Sequence, residues 1–491
     1  MKWRAVADPV PVTFGEWRPD MAPHMSPALA EAENVLPVAG AYAPFPAHVP
    51  IAANTLASPA KGFFSTLLPD GTPIVYAATR DTIYRLGTAT VTPVYDGSPI
   101  VAKRWWFAQV GGKLCAGCEG LAPVGGLLGA TLTPLGGSPP SAAVGAVVDR
   151  DYLVLGDLDN EPVDGKVENR VRWSGIMNPD TWGTNIATGA DFEDMHEEGG
   201  PVVAITGLTF GLVFQRRAIT RMQPSGDAST VFDFTTIEIG RGAVSPGAVC
   251  DVGGGVFYRA DDGFFVHDGT QSVPIGTGKV DDWFANNADP TKLDLMRSGY
   301  DPVHRCVLWA FAENGQTVNS ALLAFSIADG KFTLIRSAMQ EIGASATMPT
   351  SIEAMPPPDG TTVSWDDGLY AGKRPIFSGI DSLNRYGTFT GTALASQITT
   401  GDYQAAPGKR SFIAGVRPII DASGVQVAVG EREQASRDAI VWNPATGLGV
   451  DGVCPQRFDA RYARYRQTTV AGESWSRSVG IEIDVQPSGA R

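Results

Sequence analysis

Apolar stretches and short polar turns alternate along most of this chain, and the apolar stretches come in pairs. The pairs read IVYAATRDTIYRLG from Ile74, KLCAGCEGLAPVGG from Lys113, YLVLGDLDNEP from Tyr152, LVFQRRAITRMQ from Leu212, VFYRADDGFFVHDG from Val256, VLWAFAENG from Val307 and IFSGIDSLNRYGTFTG from Ile376. Two apolar runs joined by a short polar turn predict a β-hairpin. The spacing starts at about 40 residues, which is typical of a four-stranded propeller blade, and then becomes wider and irregular.

The recurring hairpins predict an all-β fold. We expect residues 51–404 to form a β-propeller of about six irregular blades, one more or one fewer. A lone blade cannot bury both of its faces, so blades stack around an axis and share a core. The alternative is a β-rich chain whose hairpins are alike only locally. Residues 183–200 and 345–373 interrupt the pattern, and we predict that both are loop insertions.

The two ends of the chain differ from its centre. Residues 1–50 carry nine prolines, which predict an extended arm without regular strands or a long helix. One helical turn is expected at 26–33, with Ser26 as its N-cap. An arm without a core of its own must lie on its own chain or on a neighbouring subunit. Residues 405–491 contain the alternating stretches RSFIAGVRPIIDA, VQVAVGERE, YARYRQTTVAG and SVGIEIDVQP, which predict a C-terminal β-sandwich-like region.

Composition narrows the classes of function. Of the 491 residues, 43% are hydrophobic and 18% are charged, and the net charge is −14, which makes tight nucleic-acid binding unfavourable. Five scattered cysteines do not suggest a disulfide framework. No apolar run reaches the roughly 18 residues of a membrane helix. The N-terminus, MKWRAVADPVPV, has Asp8 and two prolines where a signal peptide is apolar. We therefore expect synthesis in a cytoplasm and no membrane insertion.

Motifs that could carry chemistry are sparse, and we predict no catalytic, cofactor or metal site. Cys115 and Cys118 form a C-x-x-C without the second pair that zinc needs, so we interpret them as buried thiols. The carboxylate pairs Asp261-Asp262 and Asp281-Asp282 could serve a propeller glycosidase, but paired Asp is commoner as turn chemistry. The five histidines form no close ligand pair; one of them, His196, lies in the acidic stretch DMHEEGG.

Two further segments have a distinctive character. Residues 170–182 are aromatic and basic, like a base-stacking platform, but too few Lys or Arg lie nearby. We therefore predict that Trp173 and Trp182 pack in the interior. The segment that follows is acidic, with five carboxylates within eight residues, namely Asp191, Glu193, Asp194, Glu197 and Glu198. It is interpreted either as a solvated outer loop or as a surface that repels phosphate.

Several stretches, taken in order, resemble a phage family. They are GEWRPD from Gly15, ENVLP from Glu33 with GAYAPFP from Gly40, RWS from Arg172 with NPDTW from Asn178, FQRRAITRM from Phe214, DGFF from Asp262, and HDG from His267 with PIG from Pro274 and KVD from Lys279. This set is similar to the nozzle, or tail hub, proteins of short-tailed bacteriophages and their prophage relatives. It spans roughly residues 10–290, and RYARYRQTTVAG with GIEIDV near the C-terminus also fits the resemblance.

The resemblance implies a structural virion protein of the phage tail. It implies a homo-hexameric ring below the portal and the tail adaptor protein, with tail fibres or spikes attached nearby. Double-stranded DNA would pass through the axial channel without specific binding. The family has no catalytic residues to transfer, so we predict that the chain is not an enzyme. The acidic stretch from Asp191 to Glu198 is the candidate channel-facing segment. A propeller adhesin that binds a receptor, or a propeller glycan hydrolase, is the alternative.

Overall fold

The computed structural model describes residues 9–22, 24, 27–87, 90–97, 102–207, 210–227, 230–346, 374–405, 409–434 and 438–489. Of these residues, 58% lie in strands and 4% in helices, which confirms the all-β prediction. No helix in the described part of the chain has the length and apolar character needed to cross a bilayer.

Six four-stranded antiparallel arrays follow one another from residue 62 to residue 335, and each runs in chain order from its first to its fourth strand. Five strands precede these arrays in the chain, namely β1 Val10–Thr13, β2 Leu29–Glu33, β3 Val35–Val38, β4 Ala41–Pro44 and β5 Pro46–Thr55. The six arrays consist, in order, of β6 Gly62–Leu67, β7 Pro73–Ala78, β8 Thr82–Leu86 and β9 Val91–Asp96; β10 Trp106–Val110, β11 Lys113–Cys118, β12 Leu121–Leu127 and β13 Thr133–Pro134; β14 Ala142–Val148, β15 Tyr152–Glu161, β16 Gly165–Trp173 and β17 Asp191–Asp194; β18 Val202–Gly207, β19 Gly211–Gln215, β20 Ala218–Pro224 and β21 Phe232–Ile239; β22 Val249–Asp251, β23 Val256–Ala260, β24 Gly263–His267 and β25 Ser272–Pro274; β26 Arg297–Asp301, β27 Cys306–Phe311, β28 Ala321–Ser326 and β29 Lys331–Ile335.

A seventh array contains β30 Met339–Ala346, β31 Pro375–Asp381 and β32 Arg385–Ala393, and it is completed by β5 from the N-terminal part of the chain, which pairs antiparallel with β32. The first strand of each array packs against the first strand of the next one, and β30 packs against β6. The seven predicted hairpins thus contribute the central strands of seven arrays. The helices lie between strands, namely α1 Asp281–Asn287 and three 3-10 turns at Glu197–Gly199, Pro246–Ala248 and Pro290–Leu295.

The central strands explain why the sequence reads as continuous apolar runs. Every residue of β7, β19, β23 and β27 is buried, because each of these strands lies between two others and is covered on both faces by neighbouring arrays. Adjacent arrays share hydrophobic cores. Tyr76 and Leu114 meet between the first and second arrays, and Trp106 and Leu155 meet between the second and third.

The remaining strands build two sheets that share one core. These strands are β33 Ser396–Thr400, β34 Arg410–Ile420, β35 Val425–Arg432, β36 Val441–Trp442, β37 Thr446–Gly447, β38 Cys454–Ala460, β39 Tyr462–Thr469 and β40 Ser478–Gly489. One sheet has the order β3-β4-β40-β34-β38, with β1 also paired to β40; the other continues from β29 through β2, β33, β39 and β35 to β36 and β37. Ile483 and Val416 of the first sheet and Val427 and Tyr465 of the second belong to one hydrophobic cluster.

The N-terminal segment differs from the predicted arm. Leu29–Glu33 is a strand and not a helical turn, and it pairs with β33; the predicted N-cap, Ser26, lies outside the described residues. Trp17 and Tyr42 are buried in the same cluster as the C-terminal strands. The prolines are compatible with strands here because β1, β3 and β4 are short and because Pro37 and Pro44 lie in two-stranded pairings near a sheet edge.

One of the two predicted insertions needs revision. Within 183–200, Asp191–Asp194 is a regular strand that pairs with β16 and forms the outer edge of the third array. The stretches 183–190 and 195–200, the latter with a 3-10 turn, lie outside strands. The sequence did not indicate this strand, because three of its four residues are exposed and it therefore lacks an apolar run. Of 345–373, residues 345–346 end β30, and the rest lies outside the described residues. The chain leaves the seventh array after Ala393, because the next strand, β33, pairs in the sheet that also contains β2, β39 and β35. This change comes before the predicted domain boundary at 404.

Candidate functional site

The acidic segment lies at the outer edge of the third array. Asp191, Glu193 and Asp194 are on β17, and Glu197 and Glu198 are exposed on the 3-10 turn that follows. Since β17 pairs with β16 alone, the segment is on the side of the array opposite to β14, the strand that meets the neighbouring arrays. The structure therefore brings all five predicted carboxylates onto one rim of the chain.

The five carboxylates differ in their partners. Arg170 donates to both carboxylate oxygens of Asp194, at 2.6 and 2.9 Å, and this hydrogen bonding holds the pKa of Asp194 below its ordinary value. Burial raises the pKa of Glu193, and the charges of Asp194 and Asp191 act in the same direction. Asp194 is thus a structural partner of Arg170, whereas no ion pair to Glu193, Glu197 or Glu198 is found within the described ranges.

The aromatic and basic segment before β17 is packed into the fold. Trp173 donates from Nε1 to Gly189 O at 2.8 Å, and Trp182 donates to Pro179 O at 2.7 Å. Both indoles are buried, which confirms the packing prediction. Arg172 donates to the Trp182 carbonyl and to the buried Glu161. These side chains are therefore unavailable as a stacking platform for bases.

The candidate carboxylate pairs have separate structural partners. Asp262 accepts hydrogen bonds from Arg241, which hold the pKa of Asp262 below its ordinary value. Asp261 pairs with Arg216 at 2.7 Å. Asp281 accepts from the Phe264 N–H at 3.0 Å, although burial raises the pKa of Asp281. Asp261-Asp262 lies in the turn between β23 and β24, which agrees with the turn interpretation. Asp281-Asp282 instead begins α1, and Asp281 ties that helix to β24.

Two stretches that carry the family resemblance dock on each other. The carboxylate of Asp20 accepts the backbone N–H groups of Asp282 and Trp283 at 3.0 and 2.6 Å, at the start of α1. Trp17 contacts Trp283 edge to face, with ring centroids 5.0 Å apart. Glu16 pairs with Lys279 at 2.8 Å. GEWRPD and the KVD segment are more than 250 residues apart in the chain, yet they form one contact surface.

The cysteines have the properties of core residues. All five are buried and unpaired. Burial raises the pKa of Cys115 and that of Cys118 to about 12, so neither is a thiolate at neutral pH. Cys115 and Cys118 lie on β11, where the pairing with β12 is interrupted between Ala116 and Cys118. The C-x-x-C is therefore part of a buried, irregular strand.

Metal-ligating side chains do not converge in the described ranges. No group of three or more His, Cys, Asp or Glu side chains with the geometry to hold a metal ion is found there. His196, the histidine of the acidic stretch, has a buried Nδ1 without a hydrogen-bond partner. His304 instead contacts Asp301 at 2.6 Å.

One cavity lies between the first strands of most of the arrays. It has a volume of about 230 Å³ and is lined by residues of the first strands of six arrays, among them Phe63, Trp106, Val144, Ile205, Val249 and Glu341. Arg104 also faces this cavity. Sequence reasoning missed Arg104; the only available signal was its place in KRWWF, a basic pair beside two tryptophans, and nothing in that pattern indicates burial.

No protein-family model matches this chain, and a search of curated proteins finds no significant match.

Proposed function

We propose that this chain is a structural virion protein, the tail nozzle of a short-tailed phage, and that six copies form a ring through which double-stranded DNA leaves the particle. The observation that carries the proposal is the docking of GEWRPD on the KVD segment through Asp20, Trp17 and Glu16. The residues that carry the resemblance to nozzle proteins hold distant parts of the chain together. This role fits a family whose shared residues build a particle component and do not form an active site.

The proposed subunit is a seven-bladed β-propeller joined to a β-sandwich. The seven four-stranded arrays supply the blades, their successive first strands surround the central cavity, and β5 closes the last blade with a strand from the N-terminal part of the chain. Seven blades is within the range expected from the hairpins. The two sheets that share strands from both ends of the chain supply the sandwich. A propeller and a sandwich locked together by one continuous core would give a rigid wall element for a ring.

The acidic rim is the surface that we assign to the DNA path. In a ring of subunits, the channel wall is made by the rims of the subunits and not by their own central cavities. Glu193, Glu197 and Glu198 lie on such a rim, and no ion pair neutralises them within the described residues. With a net charge of −14 per chain, this surface would repel phosphate and let a duplex slide. The tail adaptor protein and the fibres or spikes are the remaining proposed partners.

Ring assembly is tested on the full-length protein. Mass photometry and negative-stain imaging of the purified chain, alone and with the tail adaptor of the same phage, should reveal closed rings of six copies. A trimer that binds intact cells without other tail proteins would support the adhesin alternative and contradict the nozzle proposal. Hydrolysis of envelope polysaccharide that is lost in Asp262→Asn would support the hydrolase alternative.

The DNA path is tested with the three unpaired rim glutamates. Changing Glu193, Glu197 and Glu198 to Lys should slow genome release from assembled particles, most strongly at low salt, because added positive charge attracts phosphate. Asp194 is left unchanged so that its contact with Arg170 survives. The matched control replaces Asp268, Asp294 and Asp451 with Lys, because these carboxylates are exposed, lie in other parts of the fold and form no ion pair among the described residues. Equal ejection kinetics in both variants and in the wild type would exclude the acidic rim from the channel.

A further inference from the structure

Arg104 is the unusual side chain of the central cavity. Its Nη1 atom is buried and has no hydrogen-bond partner, and no carboxylate in the described part of the chain forms an ion pair with it. The carboxylate that lines the cavity, Glu341, is already bound by Arg297, whose Nε lies 2.6 Å from Glu341 Oε1. Arg297 also donates to the carbonyls of Asp294 and Met296. The Arg297–Glu341 pair is therefore internally neutral, and Arg104 contributes an additional positive charge.

The position of Arg104 is set by its neighbours in the chain. Trp105, the next residue, donates from its backbone N to Lys61 O and from its indole to Thr79 O, both at 2.8 Å. Trp106 donates to Ala142 O of the third array at 3.0 Å. Gly247 lies beside the guanidinium, since a Cβ placed there would collide with Met296 and come within 2.6 Å of Arg104 Nη1. The absence of a side chain at Gly247 thus leaves the space that Nη1 occupies.

A guanidinium that holds one buried and unpaired N–H donor, as Arg104 does at Nη1, is costly unless something compensates it. Burial, with help from the Arg297 charge, lowers the pKa of Arg104 to about 9, while Glu341 opposes this change. Arg104 therefore remains protonated at pH 7. Aromatic rings of Phe63, Trp106 and Phe107 form much of the surrounding wall. A charge placed among such rings interacts more strongly with a counter-charge than it would in bulk water.

We propose that the central cavity is a binding site for a small oxyanion, of carboxylate or phosphate type, held by the guanidinium of Arg104. The planar fork of Arg matches two oxygens of such an ion. A volume of about 230 Å³ is below the roughly 300–1,000 Å³ typical of sites for larger organic ligands. The cavity therefore selects an ion of a few heavy atoms. This site is independent of the acidic rim, which repels anions, and it does not depend on the proposed ring.

The test measures oxyanion binding to the purified full-length protein. Thermal unfolding and isothermal calorimetry are run at pH 7 with sodium phosphate, sulfate, acetate or citrate, with sodium chloride used to hold the ionic strength constant. We expect at least one oxyanion to bind saturably and to raise Tm by roughly 2 °C or more. Preference for phosphate and sulfate identifies the phosphate type, and preference for acetate or citrate identifies the carboxylate type.

Arg104→Met should weaken that binding at least about tenfold, because one charge-assisted contact is lost. Lys103→Met is the matched control, since it removes the same charge one residue away from a side chain that is 84% exposed, and it should bind as the wild type does. If Arg104→Met does not fold, Arg104→Lys, which keeps the charge without the fork, must bind more weakly than the wild type. No oxyanion-specific stabilisation of the wild type, or equal affinity in the wild type and the Arg104 variants, would overturn the proposal.

Discussion

Arg297 Nε donates to Glu341 Oε1 at 2.6 Å, and each of these two side chains is only 6% exposed. Arg297 begins β26, the first strand of the sixth array, and Glu341 is on β30, the first strand of the seventh. One buried ion pair therefore joins two successive arrays beside the central cavity.

Removing one member of this pair should destabilise the fold more than removing both. Glu341→Ala leaves the buried charge of Arg297 uncompensated and should lower the free energy of unfolding by about 3–5 kcal/mol, whereas Arg297→Met combined with Glu341→Leu should cost much less. Denaturant unfolding followed by fluorescence measures both values. Glu482→Ala is the control, because its pair with Arg417 is solvent-exposed and should contribute at most about 1 kcal/mol. Equal losses in Glu341→Ala and Glu482→Ala would contradict the prediction.

The indole of Trp106 connects the second and third arrays, and Gly145 makes room for it. A Cβ at Gly145 would lie 2.5 Å from two ring atoms of Trp106. Gly145→Ala should therefore displace the indole and cost about 1–3 kcal/mol. Gly112→Ala is matched, since nothing lies within 4 Å of a Cβ placed there, and it should change stability by less than about 0.5 kcal/mol. Thermal unfolding of both variants measures the difference in Tm. If Gly145→Ala has the same Tm as the wild type, the predicted packing of Trp106 on Gly145 is wrong.

The N-terminal strands belong to the core of the chain. Trp17 is 3% exposed and donates from Nε1 to Ala30 O at 3.1 Å. Trp17→Ala should reduce the free energy of unfolding by about 3–5 kcal/mol, and removal of residues 1–45 should abolish a cooperative thermal transition. Val38→Ala, in the same segment but 43% exposed, should have little effect. A fully folded truncated chain would show that this segment is dispensable.

The thiols should be unreactive in the native state. Burial raises the pKa of Cys115, Cys118, Cys250 and Cys306 to about 12 and that of Cys454 to about 11. A raised thiol pKa means that little thiolate forms between pH 7 and pH 9, so labelling with a disulfide reagent should stay slow across that window. Addition of denaturant should release all five cysteines together. Rapid labelling of Cys115 or Cys118 in the folded protein would revive a redox function for the C-x-x-C.

The strand content and the hairpins were predictable because they depend on local patterns. Short apolar runs such as the one at Ile74, and the alternating stretches after residue 405, correspond to observed strands. Turns were also predictable from local residues, because Asp favours turns; Asp261-Asp262 forms the turn between β23 and β24. The packing of Trp173 and Trp182 followed from composition, because too little positive charge surrounds them for a nucleic-acid surface.

Pairings between distant segments required the tertiary structure. Proline content suggested a coreless arm, but hydrogen bonds from β33, β40 and β32 hold β2, β1 and β5 as strands, and no local signal records those partners. Asp191–Asp194 looked like a loop because its outward residues are charged, as edge strands often are.

The sequence by itself determined that this protein is all-β, acidic and built on repeated hairpins, because strand propensity, turn residues and net charge are properties of neighbouring residues or of the whole composition. Only the tertiary structure decided that Asp20 caps a helix more than 250 residues away, that the acidic segment lies on an outer rim, and that the Nη1 atom of Arg104 is buried without a hydrogen-bond partner. The reason is physical: burial and pairing are set by which surfaces exclude water together, and those surfaces come from parts of the chain that sequence order does not bring together.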